Sequence, residues 1–235
     1  MKKIYTLIVL LFVAFGYSQE QKITIDYTVD YIIPNNRKGT ADTITIGYSK
    51  NGKHLWTNSE YLAKDLGKSM FKSNSKMMEN ADLDIIYDSE NSILIMHFES
   101  GKNDMFINMD LETLMTKQIS FNEDDEFELI SENTKESIDV AGHKTTIYDL
   151  YPSNKPSDII SVAFDESIEI QNNTLFKSLF ELIFAAEGSA NLLGMNLPNG
   201  LIMKATNKGN TMIEAYKIDT RKKTININYS FKITE

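Results

Sequence analysis

The chain has 235 residues, 42% of them hydrophobic, with 24 Lys and Arg against 33 Asp and Glu, a net charge of −9 and no cysteine. An acidic surface repels phosphate backbones and anionic lipid head groups, which argues against nucleic-acid binding and docking on acidic membranes. The absence of cysteine excludes a disulfide frame, Cys-ligated zinc, a thiol nucleophile and an acylated cysteine anchor.

Met1-Lys2-Lys3 is a short basic start, Ile4 to Phe15 is an apolar run, and Gly16 and Ser18 supply small residues for a peptidase. This pattern predicts a secretory signal peptide over 1–18. A transmembrane helix needs about 20 apolar residues, more than this run provides. The mature chain is then a single domain over 19–235, periplasmic or secreted, with neither transmembrane segment nor lipid anchor. Outside the cytoplasm there is no nucleotide pool, and no cofactor is expected. Losing Lys2 and Lys3 makes the mature chain more acidic still.

Strand patterns dominate the remainder. Ile23, Ile25, Tyr27, Val29, Tyr31 and Ile33 alternate with polar residues over one long half-buried strand. Ile44, Ile46 and Tyr48 repeat the alternation, and Asn51-Gly52 predicts a tight type I′ turn into His54-Leu55-Trp56. A helix is expected from Ser59 to Phe71, carrying Tyr61, Leu62, Leu66 and Met70 at helical spacing. Leu83–Asp88 and Ser92–Glu99 read as a hairpin around Ser89-Glu90-Asn91. Shorter strands follow at Asp104–Met109 and Phe127–Ser131, then His143–Leu150 and Ile159–Phe164.

A second helix is expected from Thr174 to Glu187, with Asn173 as N-cap and Gly188 after its end. Its apolar residues, among them Leu175, Phe176, Leu179, Phe180, Ile183 and Phe184, span an arc of roughly 200°, wider than an ordinary surface helix shows. Such a helix must be wrapped, and a curved sheet is the natural wrapper. Leu201–Thr206, Met212–Ile218 and Thr224–Ile233 complete the strands.

Few residues carry recognisable chemistry. Gly47 to His54 approaches a phosphate-binding loop, but His54 replaces the magnesium-holding hydroxyl and the segment joins two strands. Ser69-x-x-Lys72 and Ser73-x-x-Lys76 lack the companion motifs of penicillin-binding enzymes. His54, His97 and His143 are far apart in sequence and read as single histidines. Glu123-Asp124-Asp125-Glu126 lacks the alternating ligands and central glycine of a calcium loop. No catalytic residue and no metal ligand is assigned. The methionines and the Phe176-Phe180-Phe184 stripe suit either core filling or an adaptable apolar pocket.

Ile138-Asp139-Val140-Ala141-Gly142-His143-Lys144, continuing to Tyr148, resembles a strand pair of secreted Gram-negative proteins of unknown function. There too a strand like Ile160–Asp165, a helix, and a segment like Leu193–Met203 follow. Such proteins are similar to the LolA/LolB-like superfamily of lipoprotein carriers. The resemblance implies an α+β, mainly β fold: a strongly curved antiparallel sheet, an open half-barrel, with helices packed on its concave face. It also implies space for a hydrophobic small molecule or acyl chain between sheet and helix. The candidate walls are Phe176, Leu179, Phe180, Ile183, Phe184, Ile227 and Tyr229. The expected function is a non-enzymatic binding protein. The alternative is a cell-envelope interaction protein with a solidly packed core and no small-molecule ligand; neither reading names a protein partner.

N-terminal sequencing of the protein recovered from cells is expected to begin at or close to Gln19. An intact Met1 on the accumulated protein would remove the basis for export.

Overall fold

The computed structural model describes residues 21–35, 40–58, 82–100, 103–111, 126–186 and 191–227. The helix expected over Ser59–Phe71 lies outside them, as do the 1–18 segment, Gly188 and Tyr229. In chain order come β1 (Gln21–Ile25), β2 (Tyr27–Asn35), β3 (Thr40–Tyr48), β4 (His54–Thr57), β5 (Asp82–Asp88), β6 (Ile93–Ser100) and β7 (Asn103–Asp110). Then follow β8 (Glu126–Val140), β9 (His143–Pro152), β10 (Ile160–Asp165), α1 (Asn172–Ala186), β11 (Asn191–Met195), β12 (Leu201–Asn207), β13 (Asn210–Asp219) and β14 (Lys223–Ile227).

Twelve strands form one sheet in the order β11-β8-β9-β10-β12-β13-β2-β3-β4-β5-β6-β7. Strands β2 to β7 are a simple antiparallel meander in which each strand pairs with its predecessor; the connections are short except between β4 and β5, where residues 58–81 intervene. The second half lies alongside it through the antiparallel pairing of β13 with β2. The exception to antiparallel order is β11, which follows α1 and pairs in parallel with β8. No helix among the described residues is long and apolar enough to cross a membrane.

The long strand expected over 23–33 is two strands. At Asp26 the chain leaves one sheet for the other: β1 pairs with β14 in a separate two-stranded ribbon, while β2 enters the main sheet. Asp26 anchors the corner. Its N–H donates to the Tyr48 carbonyl (2.8 Å), its carboxylate accepts the Lys50 N–H (2.9 Å), and Lys222 lies 3.1 Å away. The ribbon covers the main sheet: Ile23, Ile25, Ile225 and Ile227 pack against Trp56, Ile86 and Ile95.

The half-barrel with helices on its concave face is not what the chain builds. The sheet neither closes nor curls strongly, and its terminal strands β11 and β7 lie at opposite ends of the strand order. The strands that open and close the described chain do not seal it; they pair with each other, and this β1–β14 ribbon supplies cover the sequence reading assigned to helices. The one long helix among the described residues meets the sheet chiefly at β11 and docks by its first turn. Leu175 is 0% exposed, in a cluster with Val29, Tyr31, Tyr48, Leu201 and Met203. Phe180, whose place in the middle of the apolar arc predicts burial against the sheet, is half-buried, beside Phe127, Leu129, Leu192 and Leu197.

The other hairpins agree with their sequence signals. The β5–β6 turn runs through Ser89–Ser92, and β8 passes into β9 through Ala141 (φ 52°) and Gly142 (φ 80°). The β3–β4 loop is longer than a two-residue turn, closing on Ser49 and His54, whose backbones bond at 3.0 Å. Strand β11 carries no alternation long enough to announce itself; its partner β8 runs well past the expected Phe127–Ser131.

Two tyrosines hold the middle of the main sheet. Tyr31 on β2 donates its hydroxyl to the Ile202 carbonyl on β12 (2.7 Å). Its hydrogen is therefore committed, and Tyr48 on β3 must donate to Tyr31 (2.8 Å). Burial pushes both hydroxyls up, Tyr48 to about 12 and Tyr31 well above the ordinary range. An unfolded tyrosine ionises near pH ~10, so the pair's contribution is fully present below that pH. It is lost as the pH rises toward about 12.

Tyr31→Phe strands both the Tyr48 hydroxyl and the Ile202 carbonyl and is expected to cost about 1–3 kcal/mol. Tyr48→Phe leaves the Tyr31–Ile202 bond and costs about 1 kcal/mol. Urea unfolding at pH 7 checks the order. On α1, Leu175→Ala is expected to cost about 2–5 kcal/mol. Half-buried Phe180→Ala costs less, and exposed Lys177→Ala stays within about 0.5 kcal/mol. Equal effects at 175 and 177 would show that the first turn is not docked.

Candidate functional site

Of the residues expected as pocket walls, those whose side chains are described fall in more than one cluster. Phe176 is half-buried and touches two clusters at once, the Tyr31–Leu175 group and the Phe127–Leu192 group. Phe180 packs with the second, its ring 5.9 Å from that of Phe176. Leu179 is half-buried on the same helix. Ile183 and Phe184 fall within the helical backbone, and their side chains lie outside the described residues. Ile227 is fully buried, but it belongs to the β1–β14 ribbon and packs with Ile23, Trp56 and Ile86. Phe176 and Phe180 thus belong to a different part of the core from Ile227.

The start of α1 is fixed by a clasp that the sequence reading assigned differently. Asn173 is not the N-cap: Leu175 N–H already donates to the Gln171 carbonyl, which places the cap at Gln171. Asn173 instead exchanges two hydrogen bonds with the Leu197 backbone (2.9 and 2.7 Å). Asn172, fully buried, donates its amide to the carbonyls of Pro198 and Gly200, both at 2.7 Å. The β3–β4 loop presses on the same place. Gly52 holds φ +71°, and a Cβ there would stand 2.4 Å from the Gln171 carbonyl oxygen. Lys50 reaches Glu169 at 2.9 Å, and the Ser89 hydroxyl donates to the Gly52 carbonyl at 2.9 Å. The near-match to a phosphate loop is therefore a docking loop.

Two of the histidines lie beside carboxylates. His143 places Nδ1 2.7 Å from Oδ2 of Asp165, a carboxylate 3% exposed. The other oxygen of Asp165 accepts the backbone N–H (2.9 Å) and the hydroxyl of Ser167. An imidazole that donates from Nδ1 to a buried carboxylate keeps its lone pair on Nε2 when neutral, as a general base does. Ser167, however, bonds the carboxylate and not the imidazole, so this group presents no activated nucleophile. The β9–β10 register brings these residues together, and nothing in the local sequence marks it. The second is His97, stacked on Phe106 with ring centroids 4.3 Å apart and 3.7 Å from Asp84. Lys223 of the ribbon stands 3.8 Å from Asp84 and 3.4 Å above the Trp56 ring. Burial works to raise the Asp84 carboxyl, but His97 and Lys223 together hold it below the ordinary carboxylate range. This polar group ties the ribbon to the sheet. Among the described residues no three His, Asp or Glu side chains gather as a metal site.

The described surface contains a groove at the β11 end of the sheet. It has a volume of about 360 Å³ and is lined by Glu128, Leu129, Ile130 and Ser131 of β8 and by Gly194, Met195 and Asn196. The Ser131 Oγ is buried there and has no hydrogen-bond partner among the described residues. The groove lies beside the cluster in which Phe176 and Phe180 pack, because Leu129 and Met195 belong to both.

No protein-family model matches the chain, so the resemblance to lipoprotein carriers has no support from that comparison. No curated protein matches it either. Among solved structures the chain is similar to PNGF-II in its C2 and P21 crystal forms, each with a TM-score of 0.38 and 12% identity over 84% of this chain and 28% of that one. It is also similar to MucB, with a TM-score of 0.29 and 10% identity over 90% of this chain and 57% of that one. The chain spans less than two thirds of the length of each of these structures.

Proposed function

We propose that this chain is an exported, non-enzymatic interaction protein of the cell envelope, with a solidly packed core and partners that meet its surface. The observation that carries the reading is how the apolar residues are used. Leu175 is enclosed by Tyr31, Tyr48, Leu201 and Met203; Phe176 and Phe180 lie against Phe127, Leu129, Leu192 and Leu197; Ile227 belongs to the β1–β14 ribbon. This distribution of apolar side chains over separate clusters supports a packed core over a single ligand space. The basic start and apolar run before Ser18 support export. The His143–Asp165–Ser167 group, in which only Asp165 is buried, supports a structural role over a catalytic one, because its hydroxyl is turned to the carboxylate.

Purified protein, extracted with organic solvent and analysed by mass spectrometry, is expected to release no stoichiometric lipid. A fluorescent fatty acid should show no saturable binding. Leu175→Trp should overpack the core and lower stability by about 1–3 kcal/mol. Saturable fatty-acid binding by the wild type, lost in Leu175→Trp without a fall in melting temperature, would overturn the packed reading in favour of an acyl-binding protein.

A further inference from the structure

Strand β8 is fifteen residues long, and β11 covers only its first part, from Glu126 to Leu129. At Met195 the covering strand stops, and the chain turns away to Leu197, which Asn173 holds. Beyond that point no described strand pairs with the outer side of β8.

The direction of the β8 backbone follows from its bonds to β9. Glu128 donates its N–H to the Ser153 hydroxyl (2.9 Å) and accepts the Ser153 N–H at its carbonyl (2.8 Å), so both groups face β9. Leu129 stands opposite Pro152, which has no N–H to give. Backbone groups alternate along a strand, so those of Ser131 and Asn133 point away from β9, along the edge that β11 has vacated. This ledge is short. At Lys135 the chain takes φ +65° within a bulge between Asn133 and Ser137, its N–H donating to the Asn133 side chain at 2.7 Å. The groove, with the unpartnered Ser131 hydroxyl, lies at its start.

Side chains give the ledge two different faces. Glu126, Glu128 and Glu132 share one face of β8 with Ile130, and all three are exposed. Phe127, Leu129 and Ser131 share the other, which continues into the apolar cluster with Leu192 and Met195. Farther along β8, Glu136 and Asp139 add exposed carboxylates, against Lys135 alone.

We propose that the outer edge of β8, from Ile130 to Asn133, receives an extended polypeptide segment of the partner as an added strand, in line with β11. The segment alternates cationic and apolar side chains. Its Lys or Arg residues face Glu128 and Glu132, and an apolar residue enters the groove beside Leu129 and Met195. Backbone bonds to Ser131 and Asn133 hold it, and charge alternation fixes its register. The ledge accepts only a few residues, so the complex is weak and salt-sensitive. The proposal rests on the interaction-protein reading.

The probes are the blocked peptides Lys-Val-Lys-Val-Lys and Glu-Val-Glu-Val-Glu, added to the whole folded protein labelled with ¹⁵N. In the free protein the Ser131 and Asn133 amides should exchange rapidly with solvent. The cationic peptide should slow both and shift resonances along β8, the effect fading as salt rises, while the acidic peptide does nothing. Glu128→Lys should weaken the cationic peptide by about tenfold with an unchanged melting temperature. Ser131→Pro, which removes one outward N–H from an edge position, should do the same if it melts like the wild type. Slow exchange at Ser131 and Asn133 in the free protein, equal responses to both peptides, or shifts confined to other strands would each overturn the added-strand proposal. Those outcomes leave the packed core untouched; the lipid measurements above decide that separately.

Discussion

The pairing of β13 with β2 is the constraint on which the sheet depends. It brings a strand near the start of the described chain against one near its end, from Glu214 opposite Ile32 to Asp219 opposite Thr28, with a register shift between Ala215 and Lys217. Without it the molecule would be two smaller sheets, each with an extra edge. Tyr31 sits at this seam opposite Ala215, and its hydroxyl reaches over β13 to the carbonyl of Ile202 on β12. One buried side chain therefore bonds groups from both halves. Long-range contacts of this kind carry a large loop-closure entropy, so a hydrogen-bonded anchor at the seam is where sequence choice matters most.

Around that seam the molecule uses different covers at different places. The β1–β14 ribbon lies on β4 to β6, and Lys223 over Trp56, with Asp84 and His97 nearby, fixes its position. On β6 the adjacent residues Ile95 and Met96 are both 0% exposed, so both faces of the sheet are shielded there. At the opposite end α1 provides the cover, held by side-chain amides at its first turn and pressed by Gly52. A wide apolar arc on a helix is a demand for neighbours. Here a strand edge, the Leu197 segment and the start of the helix itself meet that demand.

Alternation made most strands legible. Ile44-x-Ile46-x-Tyr48 and Ile225-x-Ile227 bury one face as their period requires, and Ala141-Gly142 marks its hairpin. The break at Asp26 was illegible because the alternation of Ile23, Ile25, Tyr27 and Val29 continues through it. What changes there is the partner strand, a property of tertiary structure. Strand β11 was missed because Asn191-Leu192-Leu193-Gly194-Met195 has no period, and a parallel partner far away in sequence organises it. Of the proposed pocket, Phe176 and Phe180 do share a cluster, since helical spacing places them together. Ile227 was assigned to it by resemblance to another fold, and strand pairing sends it elsewhere. His143 and Asp165 meet through β9–β10 register, which no single-sequence pattern encodes.

The β1–β14 ribbon also sets an order in time. Ile23 pairs with Ile225, so one partner exists long before the other is synthesised. At typical ribosomal speeds the gap is on the order of 10–40 s, far longer than a hairpin needs to form. Throughout it Ile23, Ile25 and the Trp56–Ile86–Ile95 surface lack their final cover. The nascent chain cannot commit to its native layer arrangement while it is being made. Such a chain is compatible with passage through a membrane in the unfolded state and depends on protection from aggregation until its last described strand arrives.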